Sequence, residues 1–333
     1  MQDLNTLPLH DLLHHLPIND AVTRLLAIAA EEELGTGGRP GDVTTQCCIP
    51  PQRWADGIMV AKEPGVLSGV YTLAQIMIIF AQNCQVAFLA QDGDRIRAGQ
   101  RVAILTGPMY QVLRAERTML NLLGRMSGIA TRTAEFVKAI EGTNVKLLDT
   151  RKTTPGWRAL EKYAVRCGGG HCHRIGLHDA VLFKDNHIFG VPPRDLPEWI
   201  TTAVDKARRT ADIEGGGLRF VELEVDSLEQ LEPILAAGGC GVDIILLDNM
   251  DCPTMRRAVE MRAKHNTKLE FEASGGITLE TIRAIADTGV ERISVGGLTH
   301  HAVWLDYSMD IQDAQKPEGW GEEVEDESDT SCD

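Results

Sequence analysis

From Val145 onward, short apolar runs alternate with amphipathic stretches, and this alternation limits the fold more than any other feature of the chain. The runs are KLLDT, AVLFKD, RFVELEVD, VDIILLDN, LEFEAS and RISVGG. Between the later ones lie SLEQLEPILAAG, CPTMRRAVEMRAKH and TLETIRAIADTG, patterned as helices. Strands joined through helices lie parallel, and strands apolar throughout are buried on both faces. The strand ends carry polar residues or glycine: Asp149 with Arg151 and Lys152, then Lys184, Glu224, Asp248, Ser274 and Gly296. The last five stand 40, 24, 26 and 22 residues apart. Ends of parallel strands converge at one mouth of a barrel, where active sites are built. An open doubly wound sheet would carry a glycine-rich phosphate loop after an early strand. None stands in that setting, so a barrel is expected.

The preceding part reads differently. Asp20 is placed to cap a helix through AVTRLLAIAAEEEL, and Gly35 to Gly41 reads as a loop. ADGIMVAKEPGVLSG, QVAFLAQDGDRIRAGQ and RVAILTG read as short strands joined by tight turns. This is an α+β domain, followed by a helix from Tyr110 to Ile140. Leu113, Leu120, Leu123 and Met126 form its apolar stripe. Arg114, Arg117, Asn121 and Arg125 lie on or near a polar, solvated face.

A chain of 333 residues buries a core without disulfides, and its eight cysteines are scattered as reduced thiols would be. The formal net charge is −15. Residues 314–333 hold −7 of it through Glu318, Glu322, Glu323, Glu325, Asp326, Glu327, Asp329 and Asp333 against Lys316, and such a run reads as disordered. The body that remains is still acidic, which speaks against nucleic-acid binding. No apolar run is long enough to span a bilayer. The start MQDLNTLPLHDLL lacks a basic segment and an apolar one, so no membrane association and a cytoplasmic location are expected.

Against that acidic background, residues 147–188 concentrate Arg151, Lys152, Arg158, Arg166, His171, His173, Arg174 and Lys184. Guanidinium forks and lysine ammonium groups suit a multiply charged anion bearing carboxylates or phosphates. Arg158, Glu161 and Lys162 read as a solvated helix face, whereas Arg151, Lys152, Arg174 and Lys184 flank apolar strands. Glu224 and Asp248 end VELE and ILLD. Two carboxylates facing an anion pocket suit Mg2+ held with substrate phosphates, or ribose hydroxyls. Ser227 and Asp251 are better placed as helix caps, which leaves the two acids free. Ser274-Gly275-Gly276 and Gly296-Gly297 follow the last two strands, where barrel enzymes bind phosphate through backbone N–H groups. Cys167, His171, Cys172 and His173 make a poor zinc site, because three consecutive ligands are hard to arrange tetrahedrally.

The ordered set DTRKTTPGWRALEKYAV, GGG, HR, KDNH, ELEV, LLDN, EASGGI and SVGGLTH resembles the quinolinate phosphoribosyltransferases. GDVTT, GVLSG and AERTMLNLLGRMSGIA fit too, and the likeness runs over about residues 20–312. The resemblance implies an amino-terminal α/β sandwich domain over 20–127 after an arm over 1–19. It implies an irregular parallel α/β barrel over 128–298, a return to the first domain over 299–313, and the acidic tail over 314–333. It implies a homodimer with shared active sites, or a hexamer built as a trimer of dimers. The reaction implied is transfer of phosphoribosyl from 5-phosphoribosyl 1-pyrophosphate to quinolinate. Carbon dioxide and pyrophosphate are released and nicotinate mononucleotide forms, with Mg2+ and no organic cofactor.

Carried residue by residue, Arg117 matches the arginine that reaches quinolinate from the neighbouring subunit. Arg151, His173 and Arg174 match residues holding the two carboxylates, and Thr150 falls among the substrate-binding residues. Lys152 and Lys184 match lysines near the carboxylates and the phosphoribosyl pyrophosphate. Glu224 and Asp248 match the acidic pair at ribose and magnesium. Ser274, Gly275, Gly276, Gly296, Gly297 and His300 match the phosphate end. Lys152, Glu224 and Asp248 are expected to act in the chemistry. His171 and Cys172 depart from the pattern, where small or polar residues are expected. The rival readings are a Schiff-base lyase using Lys152 or Lys184, a non-catalytic metabolite sensor, and a transferase for another aromatic acid. A monocarboxylate would leave part of the arginine cluster unpaired.

Overall fold

Strand β1 (Trp54–Ala61) is buried along most of its length, and the first domain is built around it. The structure is a computed structural model and describes residues 3–36, 41–213, 215–265, 268–317 and 320. After β1 come β2 (Gly65–Val66), β3 (Gln85–Phe88), β4 (Arg95–Ile96) and β5 (Arg101–Pro108). β5 pairs antiparallel with β1 and β3, while β2 and β4 form a separate ribbon. The long helix Met109–Ala139 covers this sheet with Val112, Ala115, Met119 and Leu123, all fully buried.

The second domain follows the expected strand–helix alternation. Its strands are β6 (Lys146–Leu148), β7 (Val181–Phe183), β8 (Val221–Val225), β9 (Ile244–Asp248), β10 (Glu270–Ser274) and β11 (Arg292–Ser294). They form a parallel sheet in the order β6-β11-β10-β9-β8-β7. The two end strands do not pair with each other. The segment from His171 to Arg174 fills that role in part. His171 makes a parallel bridge to Leu148, and Arg174 Nη1 donates to the Ala180 carbonyl at 3.5 Å. The arrangement is an irregular, barrel-like one. β12 (Tyr307–Ala314) then leaves the barrel and pairs antiparallel with β1, from Ala61↔Tyr307 to Trp54↔Ala314.

Several local expectations change. The helix containing Asp20 runs Ile18–Leu34, with Pro17 at its N-cap, so Asp20 lies in the first turn. A carboxylate there still faces the free N–H groups of the helix start. Asp251 does cap, accepting from Thr254 N at 2.9 Å, but Ser227 makes no capping bond. Helix Arg158–Cys167 does not expose Arg158, Glu161 and Lys162 as one solvated face: Glu161 and Lys162 are fully buried. Both have a partner that makes burial tolerable. Lys162 Nζ donates to Asp149 Oδ1 at 2.6 Å, and Glu161 Oε1 accepts from Arg125 Nη2 at 2.6 Å. Arg125 is correspondingly drawn off the solvated face, and its side chain is 13% exposed. The tail placed from 314 onward begins as strand at Ala314, and Trp320 packs edge-on against Trp54. Residues 318–319 and 321–333 lie outside the described residues. Among the described residues no helix is long and apolar enough to cross a membrane.

The return segment fits only because the long helix carries glycine. Leu305 N donates to the Gly124 carbonyl at 3.0 Å, and a methyl group at Gly128 would overlap the Val303 carbonyl oxygen. Gly128→Ala is therefore expected to lower stability by about 1–3 kcal/mol, measured by denaturant unfolding. Gly216→Ala, with open space around it, should leave the unfolding midpoint unchanged.

Candidate active site

Side chains alternate along each barrel strand, so residues two apart share the inner face. On β8 these are Glu222 and Glu224, on β9 Leu246 and Asp248, on β10 Glu272 and Ser274. The register sets Glu272 beside Leu246 and Ser274 beside Asp248. The upper members open into a cavity of about 760 Å³ at the carboxy-terminal strand ends. Following the sheet order around it, β6 brings Thr150, Arg151 and Lys152. β11 brings Gly296, Gly297 and His300, and β10 brings Ser274, Gly275 and Gly276. β9 brings Asp248, β8 brings Glu224, and β7 brings Lys184. His173 and Arg174 enter through the break between β7 and β6. Of the residues carried over by the resemblance, Arg117 alone does not line this cavity. Its side chain is 62% exposed on the long helix, with Glu116 3.9 Å away.

Local chemistry fixes several of these groups. KDNH forms a single 3-10 turn in which Lys184 N donates to His187 Nδ1 at 2.8 Å. Lys184 Nζ reaches Glu224 Oε2 at 2.5 Å. Asp248 Oδ2 accepts from Asn249 Nδ2 at 2.6 Å. Gly275 has φ +102°, and any Cβ there would run into the Asn249 side chain, so only glycine fits. Thr299 Oγ1 donates to the Lys152 carbonyl at 2.6 Å and pins the β6 loop to the β11 loop.

The cations crowd one side. Burial, and the Arg151 guanidinium beside it, hold Arg174 below the usual arginine range. Burial, His301, Lys152 and Arg132 likewise push His300 down. Arg151 Nε is buried and has no hydrogen-bond partner among the described residues. Like charges held this close in a partly dry pocket are costly until an anion enters.

Beneath them lies a cluster that the strand reading passed over. His173 Nε2 sits 3.0 Å from Glu222 Oε2 and 3.2 Å from Glu272 Oε1, and Arg292 Nε donates to Glu272 Oε2 at 2.8 Å. Glu222 and Glu272 are fully buried. Burial disfavours the imidazolium, but the two carboxylates outweigh it and push His173 up to about 10. Burial opposes ionisation of Glu272 too, yet His173 and Arg292 hold it down to about 2. Burial and the facing Glu272 raise Glu222. His173 Nδ1 accepts the Arg174 N–H at 2.8 Å. The raised His173 and the raised Glu222 hold a proton between them. The three side chains His173, Glu222 and Glu272 are also close enough to hold a metal ion, but Arg292 already neutralises Glu272. The signal in the sequence was glutamate at every second position of VELEV and EFEAS, inside strands otherwise apolar.

Fold and site together define a barrel enzyme that takes a polyanionic substrate at its carboxy-terminal mouth. The quinolinate phosphoribosyl transferase N-terminal domain matches residues 42–127 and the C-terminal domain of the same family matches residues 129–310. The nicotinate-nucleotide pyrophosphorylase (carboxylating) of Mycobacterium leprae is 40% identical over 296 residues, 88% of this chain and 98% of the relative. A probable enzyme of the same name from Bacillus subtilis is 40% identical over 280 residues, 84% of this chain and 90% of the relative. The solved nicotinate-nucleotide pyrophosphorylase from Francisella tularensis superposes with a TM-score of 0.77 at 36% identity, covering 94% of this chain and 100% of that one. The chain belongs to the quinolinate phosphoribosyl transferase family.

The two glutamates look alike but differ in their partners. Arg292 donates to Glu272, whereas burial and the facing Glu272 raise Glu222, so Glu222→Gln should cost only about 1 kcal/mol in unfolding. Glu272→Gln strips Arg292 and the imidazole of their buried counter-charge and should cost roughly 3–5 kcal/mol. Sign follows from the depressed Glu272 value: its contribution is present above the ordinary carboxylate range and lost as pH falls toward about 2. Equal losses in the two variants would overturn this distinction.

Proposed function

We infer that the protein transfers phosphoribosyl from 5-phosphoribosyl 1-pyrophosphate to quinolinate and releases pyrophosphate and carbon dioxide, giving nicotinate mononucleotide. It is a phosphoribosyltransferase of de novo NAD biosynthesis. The observation that carries this reading is the division of one cavity into a cationic side, Arg151, Lys152 and Arg174, and a carboxylate side, Glu224 and Asp248. A pyridine dicarboxylate belongs against the first. A ribose ring that gains positive charge as pyrophosphate leaves belongs against the second.

On this reading Arg151, His173 and Arg174 hold the two quinolinate carboxylates and aim the ring nitrogen at the anomeric carbon. That nitrogen supplies the electron pair as the bond to pyrophosphate breaks. The ring is then a pyridinium, and it accepts the electron pair left when the adjacent carboxylate departs as carbon dioxide. A proton must replace that carboxylate on the carbon. Lys152 stands at the carboxylate that leaves. The loops carrying Ser274 to Gly276 and Gly296 with Gly297 receive phosphate. The hard oxygens of Glu224 and Asp248 fit Mg2+ and would hold it, although Lys184 and Asn249 already take one oxygen each. Bound there, it would supply charge neutralisation for the departing pyrophosphate.

Arg117 completes the site from a second copy of the chain. Its exposure on the long helix, away from its own cavity, supports a homodimer in which each subunit lends this residue to the other.

Incubation with quinolinate, 5-phosphoribosyl 1-pyrophosphate and Mg2+ should release carbon dioxide, and nicotinate in place of quinolinate should give little product. Product from nicotinate at an equal rate would overturn the choice of substrate. Lys152→Ala should lower kcat about 100-fold or more. Arg117→Ala and Lys152→Ala enzymes, each nearly inactive, should regain activity when unfolded together and refolded. Absence of that rescue removes the shared-site arrangement.

A further inference from the structure

We propose that Asn5, on the amino-terminal arm, is a positioning residue for the His173–Arg174 pair, acting through the backbone of Cys172. The inference rests on the functional reading above. It starts from an irregularity of the barrel. His173 and Arg174 sit in the break between β6 and β7, where no neighbouring strand supplies a regular ladder. Every backbone polar group there needs another partner.

Those partners are side chains from distant parts of the chain. Asn5 Oδ1 accepts the Cys172 N–H at 2.7 Å, and Asn5 Nδ2 donates to the Cys172 carbonyl at 3.1 Å. One primary amide thus does what a neighbouring peptide unit does in a sheet, donating and accepting side by side. The next residue is tied in the same way. Asp149 Oδ1 accepts the His173 N–H at 2.8 Å, and Arg219 Nη1 donates to the His173 carbonyl at 3.2 Å. Asp149 and Arg219 belong to the barrel itself, while Asn5 comes from 167 residues away.

The arm is anchored where this requires. It crosses the amino-terminal end of the barrel, opposite the active-site mouth. There Asp3, Asn5 and Thr6 line a second cavity of about 550 Å³ with Lys146, Ile244 and Glu270 from the strand starts. Arg166 Nη2 donates to the Leu7 carbonyl at 2.9 Å, and Arg219 Nη2 lies 3.9 Å from Asp3 Oδ1. The Cys172 thiol takes no part in the clamp. It is buried, with Sγ 3.8 Å from the Lys162 carbonyl oxygen. The departure from the family pattern at His171 and Cys172 therefore coincides with a backbone held from below.

The consequence is specific. His173 and Arg174 meet quinolinate and not the pyrophosphate. A loosened Cys172 should weaken quinolinate binding and leave the phosphate loops alone.

In the full-length enzyme, Asn5→Ala should raise KM for quinolinate on the order of tenfold. The KM for 5-phosphoribosyl 1-pyrophosphate should stay within about twofold of wild type. Asn5→Asp can accept but not donate, and its charge faces the Cys172 carbonyl, so it should behave like Asn5→Ala. Thr6→Ala is the control, because among the described residues its hydroxyl bonds only within the arm, to the Asp3 carbonyl. Hydrogen exchange without substrate gives a second readout: the Cys172 and His173 amides should exchange faster in Asn5→Ala, with other barrel amides unchanged. Faster exchange with an unaltered quinolinate KM would overturn the positioning role. So would a loss in which both KM values, kcat and thermal midpoint move together. A wild-type enzyme that never turns over quinolinate would sink the functional reading instead, and exchange would still judge the clamp.

Discussion

One buried carboxylate, Asp149, holds the cation-bearing lip of the barrel together. A single oxygen, Oδ1, accepts both the Lys162 ammonium at 2.6 Å and the His173 N–H at 2.8 Å, and the residue is fully buried. Three pieces of chain meet there: the end of β6, helix Arg158–Cys167 and the segment that bridges the break in the barrel. Thr150, Arg151 and Lys152 follow Asp149 directly, and Arg174 follows His173. The positions of these side chains therefore depend on an ion pair with no access to water. Such a pair is costly to assemble and costlier to break, since either partner alone would be an uncompensated buried charge.

The barrel interior obeys the same rule. Barrel cores are ordinarily filled with branched apolar side chains. Here Glu222 and Glu272 occupy inner positions below the mouth. Two ionised glutamates under an anion site would repel the anion. Arg292 neutralises one, and the proton shared between Glu222 and His173 neutralises the other. The floor is left without net charge, and the positive field at the mouth belongs to Arg151, Lys152 and Arg174. Because the imidazole accepts the Arg174 N–H, the same cluster fixes the ring on which that arginine leans.

How much of this was readable in the sequence follows from what each residue does. The strand ends were legible because a polar residue terminating an apolar run breaks the pattern visibly, as Glu224 and Asp248 do. The long helix was legible from its stripe. Glu161 and Lys162 were not, because a helix facing water and a helix facing a buried partner show the same charged letters. Only the fold reveals Arg125 and Asp149 opposite them. Glu222 and Glu272 were hidden by the strength of the apolar runs around them. Asn5 left no signal at all, since its partner is a backbone 167 residues away and a peptide group has no letter of its own. Arg117 entered only by resemblance, because its own cavity does not contain it.

The electrostatics of the mouth also bear on which anion is chosen. Burial, and direct repulsion by Arg151, depress Arg174, so the two guanidinium groups oppose each other. A monocarboxylate can relieve one guanidinium and leaves the other facing it. A dicarboxylate with adjacent acid groups can relieve both, and each tenfold of preference requires only about 1.4 kcal/mol of difference. Two opposed cations, one after β6 and one in the bridging segment, would thus discriminate by charge before shape is tested. The acids on β8 and β9, across the same cavity, keep that positive field from extending over the region where a ribose cation would form. Separation of the two fields, rather than any single residue, is what would let one pocket hold a dianion and stabilise a cation in the same step.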